Sequence, residues 1–329
     1  MDQSALMSRA DDLSKLGLGF TAPNPIVGCI IIDSNNNVIA EEFHNGGAHA
    51  ESKAINSIKV IPPGATLFTT LEPCNHQGKT EPCSDLIIKS GIKNVIYSIT
   101  DPNSVAQGGS KKLREAGLNV TSGVLTEKVE FTNRHWLQKI KIGRPYFTWK
   151  IAMTLDGKIA ALDGSSKWIT SAESRDEVSK LRSQADAVLI GTGTALVDNP
   201  SLNSHNPGSR QPLRIVMGKS EIPVSHKLND ESAPTHFLKS HETSDLIKLL
   251  SDLEINQVLI ESGPKLATAL LKLGLIDEIV AYIAPSILGS GSSFVGDLDI
   301  SSLSERMDYQ IHSFTQIGND LRVTLIGRK

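Results

Sequence analysis

Three potential metal ligands near the start of the chain restrict what it can fold into more than any other feature. His49 stands in the sequence His-Ala-Glu, and two cysteines follow it, Cys74 after Glu-Pro and Cys83 after a proline. One histidine and two thiolates form a three-ligand tetrahedral zinc site whose fourth position stays open for water. The sequence therefore predicts a fold that brings His49, Cys74 and Cys83 together around a zinc ion.

Glu51 lies two residues beyond His49 and is not a ligand in this interpretation. Near the start of a helix, its carboxylate can reach a zinc-bound water, whose pKa the metal lowers to about 7, and carry the proton to a leaving amine. The pattern H-x-E followed by P-C-x-x-C is the signature of zinc-dependent nucleobase deaminases. Here eight residues, 75–82, separate the cysteines, and this polar loop is suited to holding a phosphate. Glu51 is the predicted catalytic residue.

Two simpler interpretations of the same residues stay open at this point. The cysteines could be buried apolar side chains and His49 an ordinary histidine, or the metal site could be closed and purely structural. A closed site needs a fourth ligand, for which His44 and His76 are the candidates. The remaining cysteine, Cys29, lies in an apolar stretch and is interpreted as a core residue.

The composition excludes several classes of protein. A length of 329 residues favours two domains, and 39% hydrophobic with 21% charged residues is normal for a globular chain. The 33 basic and 36 acidic side chains give a net charge of −3, which argues against general binding to nucleic acids or anionic membranes. No transmembrane segment or signal peptide is predicted, and an odd number of only three cysteines suits a reducing compartment. We therefore expect a cytoplasmic protein.

Alternating helix and strand patterns fill the first part of the chain and predict a three-layer α/β domain over residues 1–144. The helices are expected over residues 4–17, 49–58, 84–90 and 111–116, and the strands over 26–33, 38–43, 65–71, 95–99 and 120–124. Gly143-Arg144-Pro145 is the predicted boundary.

A second α/β domain is predicted over residues 145–329. Its strands are expected over residues 146–153, 187–190, 213–217, 257–260, 278–284 and 321–326, and its helices over 172–183 and 265–272, with loops at 205–212 and 218–236. Residues 258–264 form a strand that enters a turn before a helix, and backbone N–H groups at a helix N-terminus bind phosphate well. Small residues at 191–194 would let a cofactor approach the backbone. A strand–turn–helix without ligand and a plain tight loop remain alternatives, and the lack of GxGxxG after a strand argues against a classical dinucleotide-binding fold.

Several longer motifs resemble one enzyme family. The first half contains APNPIVG at 22–28, LEPCNHQGKTEPC at 71–83 and DPN at 101–103. The second half contains KIAMTLDGKIA at 150–160, SSKWITS at 165–171, VLIGTGTALVDNPSLN at 188–203 and LIESGPKLATALL at 259–271. Together they closely resemble the bifunctional riboflavin-biosynthesis deaminase–reductase family over nearly the whole chain.

The resemblance implies a cytidine-deaminase-like domain followed by a dihydrofolate-reductase-like domain. It also implies two consecutive reactions in riboflavin biosynthesis. The zinc domain would hydrolytically remove the 2-amino group of 2,5-diamino-6-ribosylamino-4(3H)-pyrimidinone 5′-phosphate, and the second domain would reduce the ribosyl chain to ribityl with NADPH. The family further suggests a homo-oligomer, with a phosphorylated pyrimidine as the small-molecule substrate.

Site residues follow from the resemblance by position. The deaminase substrate residues that it implies are Asn24, His76, Lys79, Thr80, Asp101 and Asn103. The reductase substrate residues that it implies are Ser166, Arg182, Leu202 and Glu261, and the NADPH residues are Ala152, Trp168, Thr194, Asp198 and Gly263. Simpler interpretations stay open for four of them: turn chemistry for Asn24 and Asp101, a solvated loop lysine for Lys79 and core packing for Trp168.

The chain departs from the family pattern at several positions. His205 stands where the family has an arginine that helps to hold the substrate phosphate, and a histidine is a weaker, pH-dependent substitute that Arg210 could compensate. Asp101-Pro102-Asn103 is followed by Ser104 rather than proline, residues 105–109 depart from the usual VAGxG, and Glu81 stands where the family has proline. Only four residues separate His44 from His49, fewer than the family usually has.

Alternative functions also remain open on the sequence alone. The chain could deaminate another nucleobase, free or in RNA, and carry a reductase domain that is inactive or only structural. It could instead be a non-enzymatic binding module stapled by zinc, which would need a fourth protein ligand.

Overall fold

The computed structural model describes residues 2–77, 81–206 and 208–327. The chain divides into two compact units, Met1–Arg144 and Pro145–Lys329. Within the described ranges, none of the helices has both the length and the apolar character needed to span a bilayer. Each unit is a mixed α/β structure with its own sheet, so the predicted fold class is confirmed.

The first unit is built on a five-stranded sheet of order β2-β1-β3-β4-β5. Strand β1 is antiparallel to both of its neighbours, whereas β3, β4 and β5 run parallel. The strands are β1 (Gly28–Ile32), β2 (Val38–Phe43), β3 (Thr66–Leu71), β4 (Asn94–Ile99) and β5 (Asn119–Ser122). The parallel strands end at one edge of the sheet, and the segments that leave β3 and β4 there carry Cys74 and Asp101.

Helices cover both faces of this sheet, so every residue of its inner strand β1 is buried. The helices are α1 (Gln3–Ser14), α2 (Ala50–Asn56), α3 (Cys83–Ser90), α4 (Gly109–Glu115), α5 (Thr126–Thr132) and α6 (Arg134–Ile142). On one face, Lys128 of α5 donates from Nζ to Ser8 Oγ of α1 at 2.6 Å. On the other face α2, α3 and α4 pack against one another. Cys29 lies in the aliphatic core of this unit, as expected.

The second unit is built on an eight-stranded sheet of order β10-β9-β8-β11-β6-β12-β15-β14. It is parallel from β10 to β12 and antiparallel from β12 to β14. Its strands are β6 (Tyr146–Thr154), β8 (Ala187–Gly191), β9 (Leu213–Met217), β10 (Thr235–Leu238), β11 (Gln257–Ile260), β12 (Glu278–Ala284), β14 (Tyr309–Ile317) and β15 (Asp320–Gly327), and β7 (Lys158–Ala160) pairs separately with β13 (Ser292–Ser293). Its helices are α7 (Ala172–Gln184), α8 (Thr192–Asp198), α9 (Thr243–Asp252) and α10 (Pro264–Lys272).

The structure contains elements that the sequence analysis does not predict. The helices α5, α6, α8 and α9 and the strands β7, β10, β13 and β14 are the additions. Helix α8 begins Thr-Gly-Thr, residues of low helix propensity, and β14 is exposed at nearly every position, so neither carries a clear apolar pattern. Tertiary packing therefore determines that these segments form helices and strands, whereas the apolar runs of the buried central strands predict those strands directly.

Candidate active sites

The three predicted metal ligands lie together in the first unit. His49 Nδ1 is 3.5 Å from Cys74 Sγ and 3.4 Å from Cys83 Sγ, and the three ligand atoms all lie within 4.8 Å of one another. A tetrahedral zinc with typical Zn–N and Zn–S bonds separates nitrogen from sulfur by about 3.6 Å. The spacing and the softness of the donors therefore fit zinc.

The ends of two helices and one strand position these ligands. His49 is the residue just before α2, Cys74 follows β3, and Cys83 is the first residue of α3. The Cys83 N–H points at Cys74 Sγ, 3.4 Å away, and Ser84 N donates to the Cys74 carbonyl at 3.1 Å. The backbone at the start of α3 thus stabilises a thiolate at Cys74.

The pKa values of the two cysteine thiols are shifted in opposite directions. A hydrogen bond from the Cys83 thiol, reinforced by the His49 ring, lowers the pKa of Cys74 to about 4. The same hydrogen bond, together with burial, raises the pKa of the Cys83 thiol well above its usual value. A metal ion has to displace the Cys83 proton, so we expect zinc affinity to fall at acidic pH.

Glu51 lies in the first turn of α2 and is almost fully buried, with 4% of its surface exposed. Burial raises its pKa to about 7, although the neighbouring His49 acts in the opposite direction. A carboxyl group that titrates near neutral pH can both accept and release a proton, as a general acid–base group must.

Two residues that the sequence analysis does not single out hold this site together. Glu72 is buried and accepts hydrogen bonds from Ser110 N at 2.9 Å and from Asp101 N at 3.3 Å. A side chain on Gly109 would meet the Pro73 carbonyl oxygen at 1.7 Å. Helix α4 therefore packs directly on the Pro73–Cys74 backbone. The acidic residue of the Glu-Pro-Cys motif is the sequence signal that could have indicated the supporting role of Glu72.

The predicted substrate residues of the first unit have different surroundings. Asp101 is buried, its Oδ1 accepts from Asn103 N at 2.8 Å, and burial raises its pKa, with Glu72 and Cys74 acting in the same direction. Asn103 Oδ1 accepts from the backbone of residue 105, and Ala106 packs against both cysteines. The segment 101–106 therefore borders the metal ligands.

The remaining predicted substrate residues lie on exposed or half-buried turns. His76 is half-buried and close enough to oppose the rise in the Asp101 pKa. Asn24 is exposed, in a turn closed by its backbone N–H on the Thr21 carbonyl at 2.8 Å. Lys79 and Thr80 lie outside the described residues.

Neither candidate fourth ligand joins the metal group among the residues that the structure describes. His44 is buried with its ring edge-on to that of His49 at 5.5 Å, and its Nδ1 lies 3.1 Å from the Ala48 carbonyl oxygen. Burial lowers the pKa of His44, so a neutral ring is favoured. Within this part of the chain, the metal geometry is the three-ligand form that leaves a position for water.

A cleft of about 340 Å³ lies beside the central strands of the second unit. It is lined by seven of the predicted substrate and cofactor residues, namely Ala152, Ser166, Trp168, Thr194, Asp198, Glu261 and Gly263. Trp168 is 71% exposed, so the alternative that it packs in the core is wrong. Burial raises the pKa of Asp198, against the opposing charges of Lys167 and Lys150.

A largely buried ion pair joins Glu261, which lines the cleft, to Arg182 of helix α7, which does not line it. Arg182 donates from Nε to Glu261 Oε1 at 2.5 Å and from Nη2 to Oε2 at 2.9 Å. Lys150 Nζ lies 3.5 Å from Glu261 Oε2, a contact that the sequence analysis does not predict. Burial alone would raise the pKa of Glu261, but Arg182 and Lys150 outweigh it and hold the value to about 2. Glu261 is therefore ionised at neutral pH.

The N-terminus of α10 faces the same cleft. Gly263 caps the helix and donates from its backbone N–H to Thr194 Oγ1 at 3.0 Å, and Pro264 occupies the first turn. A side chain on Gly263 would lie 3.4 Å from that hydroxyl. This crowded cradle, beyond the carboxyl ends of β8 and β11, fits the phosphates of a dinucleotide.

The predicted substrate residue Leu202 and His205, which departs from the family pattern, lie on the segment that follows α8. Leu202 is buried with a positive φ of 56°, and His205 is exposed, its backbone N–H donating to Ser179 Oγ at 2.7 Å. Arg214, fully buried on β9, donates to the Ser201 carbonyl at 3.3 Å. It also binds the carbonyls of residues 227, 230 and 233, so it anchors this segment to the next loop.

Arg210, the candidate to compensate for His205, lies 3.9 Å from Asp186 Oδ1 and is partly exposed. Its positive charge is therefore partly compensated by the Asp186 carboxylate.

The two sites define a class: an open zinc site of the nucleobase-deaminase type, joined in one chain to a reductase unit. Residues 1–99 match the cytidine and deoxycytidylate deaminase zinc-binding region, and residues 145–323 match the RibD C-terminal domain. The chain therefore belongs to the RibD family of bifunctional riboflavin-biosynthesis enzymes, which combine deaminase and reductase activities and use zinc and NADPH, as the sequence motifs predict.

Individual relatives agree over almost the whole chain. The riboflavin biosynthesis protein RibD of Mycobacterium tuberculosis (strain H37Rv) is 40% identical over 317 residues, which cover 94% of this chain and 93% of that protein. The RibD protein of Aquifex aeolicus is 40% identical over 342 residues and covers 96% of each chain. The crystal structure of a diaminohydroxyphosphoribosylaminopyrimidine deaminase/5-amino-6-(5-phosphoribosylamino)uracil reductase from Thermotoga maritima superposes with a TM-score of 0.91 at 33% identity, covering 99% of this chain and 98% of that one.

Proposed function

We propose that this enzyme deaminates 2,5-diamino-6-ribosylamino-4(3H)-pyrimidinone 5′-phosphate and then reduces the ribosyl chain of the product to ribityl with NADPH. The observation that carries the proposal is the presence in one chain of an open His49–Cys74–Cys83 site and of a cleft lined by Glu261, the ion-pair partner of Arg182. The name of the Thermotoga relative describes both of these reactions for that protein.

In the first unit, zinc held by the three ligands would supply an activated water. Glu51 moves the proton from the water side to the departing amino group, and its burial keeps it able to hold that proton near neutral pH. Asn24, His76, Asp101 and Asn103 are the residues we assign to the pyrimidine and its sugar phosphate, together with Lys79 and Thr80. Carboxylate and amide groups suit a flat ring edge rich in donors and acceptors.

In the second unit, NADPH would supply a hydride. We assign its phosphates to the start of α10 at Gly263, and other parts of the cofactor to Ala152, Trp168, Thr194 and Asp198. Ser166, Arg182, Leu202 and Glu261 are assigned to the ribosyl phosphate substrate. Besides the N–H groups that bind Glu261 and the Asn203 carbonyl, the Arg182 guanidinium has one further N–H on each terminal nitrogen, so it can hold a substrate oxygen while the carboxylate fixes its orientation.

One assay on the purified full chain tests both steps. The diaminopyrimidinone ribosyl phosphate and NADPH are supplied to zinc-loaded enzyme, and ammonia release and NADPH oxidation are followed together. We expect both in wild type and neither in Glu51→Ala, because the second step needs the product of the first. Ammonia without NADPH oxidation would contradict the reductase assignment and point to His205, and absence of ammonia would favour another nucleobase as substrate.

We also propose that the enzyme is a cytoplasmic homo-oligomer. The β14–β15 hairpin at the edge of the second sheet supports a contact with a second copy. Its pairing places Ile311 and Phe314 opposite Leu325 and Val323, on one face, and Ile311 and Phe314 are 65% and 73% exposed. An exposed edge strand that carries such apolar side chains can pair with the same strand of another copy.

Light scattering after gel filtration tests the oligomer. Phe314→Ser is expected to raise the monomer fraction, whereas Thr315→Ser, on the opposite face of the same strand, is expected to leave it unchanged. A monomeric wild type at micromolar concentration would contradict the proposal.

A further inference from the structure

One aromatic side chain in the reductase cleft is unusually open to solvent. Trp168 is 71% exposed, whereas Trp136 and Trp149 are 5% and 2% exposed. It lies in the segment 165–171, which connects β7 to α7 and also carries Ser166. Because core packing does not fix the orientation of such an exposed aromatic ring beside a cleft, another group has to hold it.

The two ends of this segment are fixed to the body of the unit. At one end, Ala161 N donates to the Ser165 carbonyl at 2.8 Å. At the other end, Ser171 N donates to Asp320 Oδ2 at 2.7 Å, and Ser171 Oγ caps α7 by accepting from Ser174 N at 3.3 Å. Trp168 therefore lies in the middle of a short span whose two ends are fixed by these hydrogen bonds.

Arg175 is the group that holds the ring. Its guanidinium carbon lies 4.1 Å from the centroid of the Trp168 ring, and its Nη1 donates to the Thr170 carbonyl at 2.7 Å. Arg175 lies one turn into α7, so the helix that starts at Ser171 turns this side chain back over the segment. Both Arg175 and Trp168 line the cleft.

Arg175 forms no ion pair with a carboxylate among the described residues. Arg182 and Arg322 of the same unit do, with Glu261 and Glu177. In this structure the Arg175 side chain therefore contacts the face of the Trp168 ring and donates a hydrogen bond to the Thr170 carbonyl. A cation over an indole is attracted by the negative face of the ring.

We propose that Arg175 is a positioning residue for the reductase cofactor. It holds the Trp168 indole at the cleft wall, where the ring offers a flat surface on which an aromatic ring of the dinucleotide stacks. The inference rests on the proposed NADPH-dependent reaction of this cleft and adds the residue that orients its exposed aromatic wall. Arg175 acts through Trp168 and takes no part in the chemical step.

The expected effect is modest and specific. An exposed cation–π contact is worth about a two- to fivefold change in an equilibrium, so Arg175→Ala should raise the KM for NADPH about two- to fivefold. The kcat, the KM for the deaminated substrate and the rate of ammonia release should not change. Arg175→Lys, which keeps a cation near the ring, should recover part of the loss.

Three measurements on the full-length, zinc-loaded enzyme test the inference. Acrylamide quenching of tryptophan fluorescence reports mainly on Trp168, since the other two indoles are buried, and it should increase in Arg175→Ala. The KM for NADPH should rise in that variant and stay at the wild-type value in Lys180→Ala, which removes an exposed cation from the same helix. Arg175→Ala should have no further effect in a Trp168→Ala background, because contacts that act through one group are not additive.

Distinct results would overturn the inference. Unchanged quenching and unchanged KM in Arg175→Ala would show that Trp168 does not depend on Arg175. An equal rise in KM with and without Trp168 would show that Arg175 binds the ligand directly. The quenching measurement needs no turnover, so it decides the Arg175–Trp168 contact even if wild type fails to oxidise NADPH, a result that would contradict the proposed function instead.

Discussion

The two candidate sites of this chain are built in opposite ways. The zinc site draws its ligands from three short motifs, each at the end of a helix or strand, and its atoms lie within 4.8 Å of one another. The reductase cleft draws its polar groups from β6, α7, α8 and the start of α10. Lys150 and Gly263, which both line it, are more than a hundred residues apart in the sequence. A metal fixes residue types and spacing, whereas a dinucleotide needs a shaped cavity that many side chains can provide.

Burial also acts differently on the key carboxylates. In the first unit, burial raises the pKa of Glu51 to about 7, which prepares the group for proton transfer. In the second, two cations overcome the same effect at Glu261 and keep it ionised, with a pKa of about 2. The comparison teaches that the cations beside a shielded glutamate decide whether its pKa rises or falls. Four predictions test this difference.

The largest effect is expected at Glu51. Glu51→Gln keeps the shape but cannot carry a proton, so ammonia release should fall by about 100- to 10,000-fold. Reduction of the separately supplied deaminated substrate should continue at the wild-type rate. Zinc content measured by mass spectrometry should equal that of wild type, and a variant that loses its zinc would instead place Glu51 among the ligands.

A smaller effect is expected for Arg182→Lys, which retains the charge but loses the two-pronged contact with Glu261. The kcat/KM of the reductase for its phosphorylated substrate should fall about 10- to 100-fold. Arg322→Lys is the matched control, because Arg322 pairs with Glu177 in the same unit, and Glu177, unlike Glu261, does not line the cleft. Equal losses in both variants would indicate general destabilisation rather than a role in the site.

The ionised state of Glu261 predicts how stability depends on pH. Because its folded-state pKa of about 2 lies below the ordinary value of 4.5, the carboxylate contributes stability above pH 4.5 that is lost as the pH falls towards 2. The contribution is at most about 3 kcal/mol. Thermal unfolding of wild type and Glu261→Gln between pH 6 and 3 should show the two curves converging at low pH, and parallel curves would contradict the assignment.

Gly109→Ala tests the packing behind the zinc site. The added methyl group would collide with the Pro73 carbonyl, so α4 must shift away from Cys74, at a cost of about 1–3 kcal/mol in the free energy of unfolding. Gly47→Ala is the control, since no heavy atom lies within 4 Å of the methyl group there. We expect a lower melting temperature and weaker zinc retention against a chelator in the first variant only, and equal behaviour of the two would show that α4 does not support the ligands.

The sequence by itself determined the zinc-binding motif, from which the metal ligands and the proton carrier are predicted, and the alternation of buried strands. Those features are local, because a His-x-Glu motif at a helix start and the two cysteine motifs each consist of a few adjacent residues. The family resemblance adds the predicted substrate residues. The apolar runs that form β1, β3 and β11 are equally local.

Only the tertiary structure decided which distant groups meet. Glu72 supports α4, Lys150 joins Arg182 on Glu261, and Arg175 stacks on Trp168, and none of these contacts follows from spacing. The first two depend on how helices pack against strands from other parts of the chain, and the third depends on how α7 turns Arg175 back over the segment that precedes it. The low-propensity helix α8 and the exposed strand β14 likewise exist because neighbouring elements supply the hydrogen bonds and contacts that their own sequences do not specify.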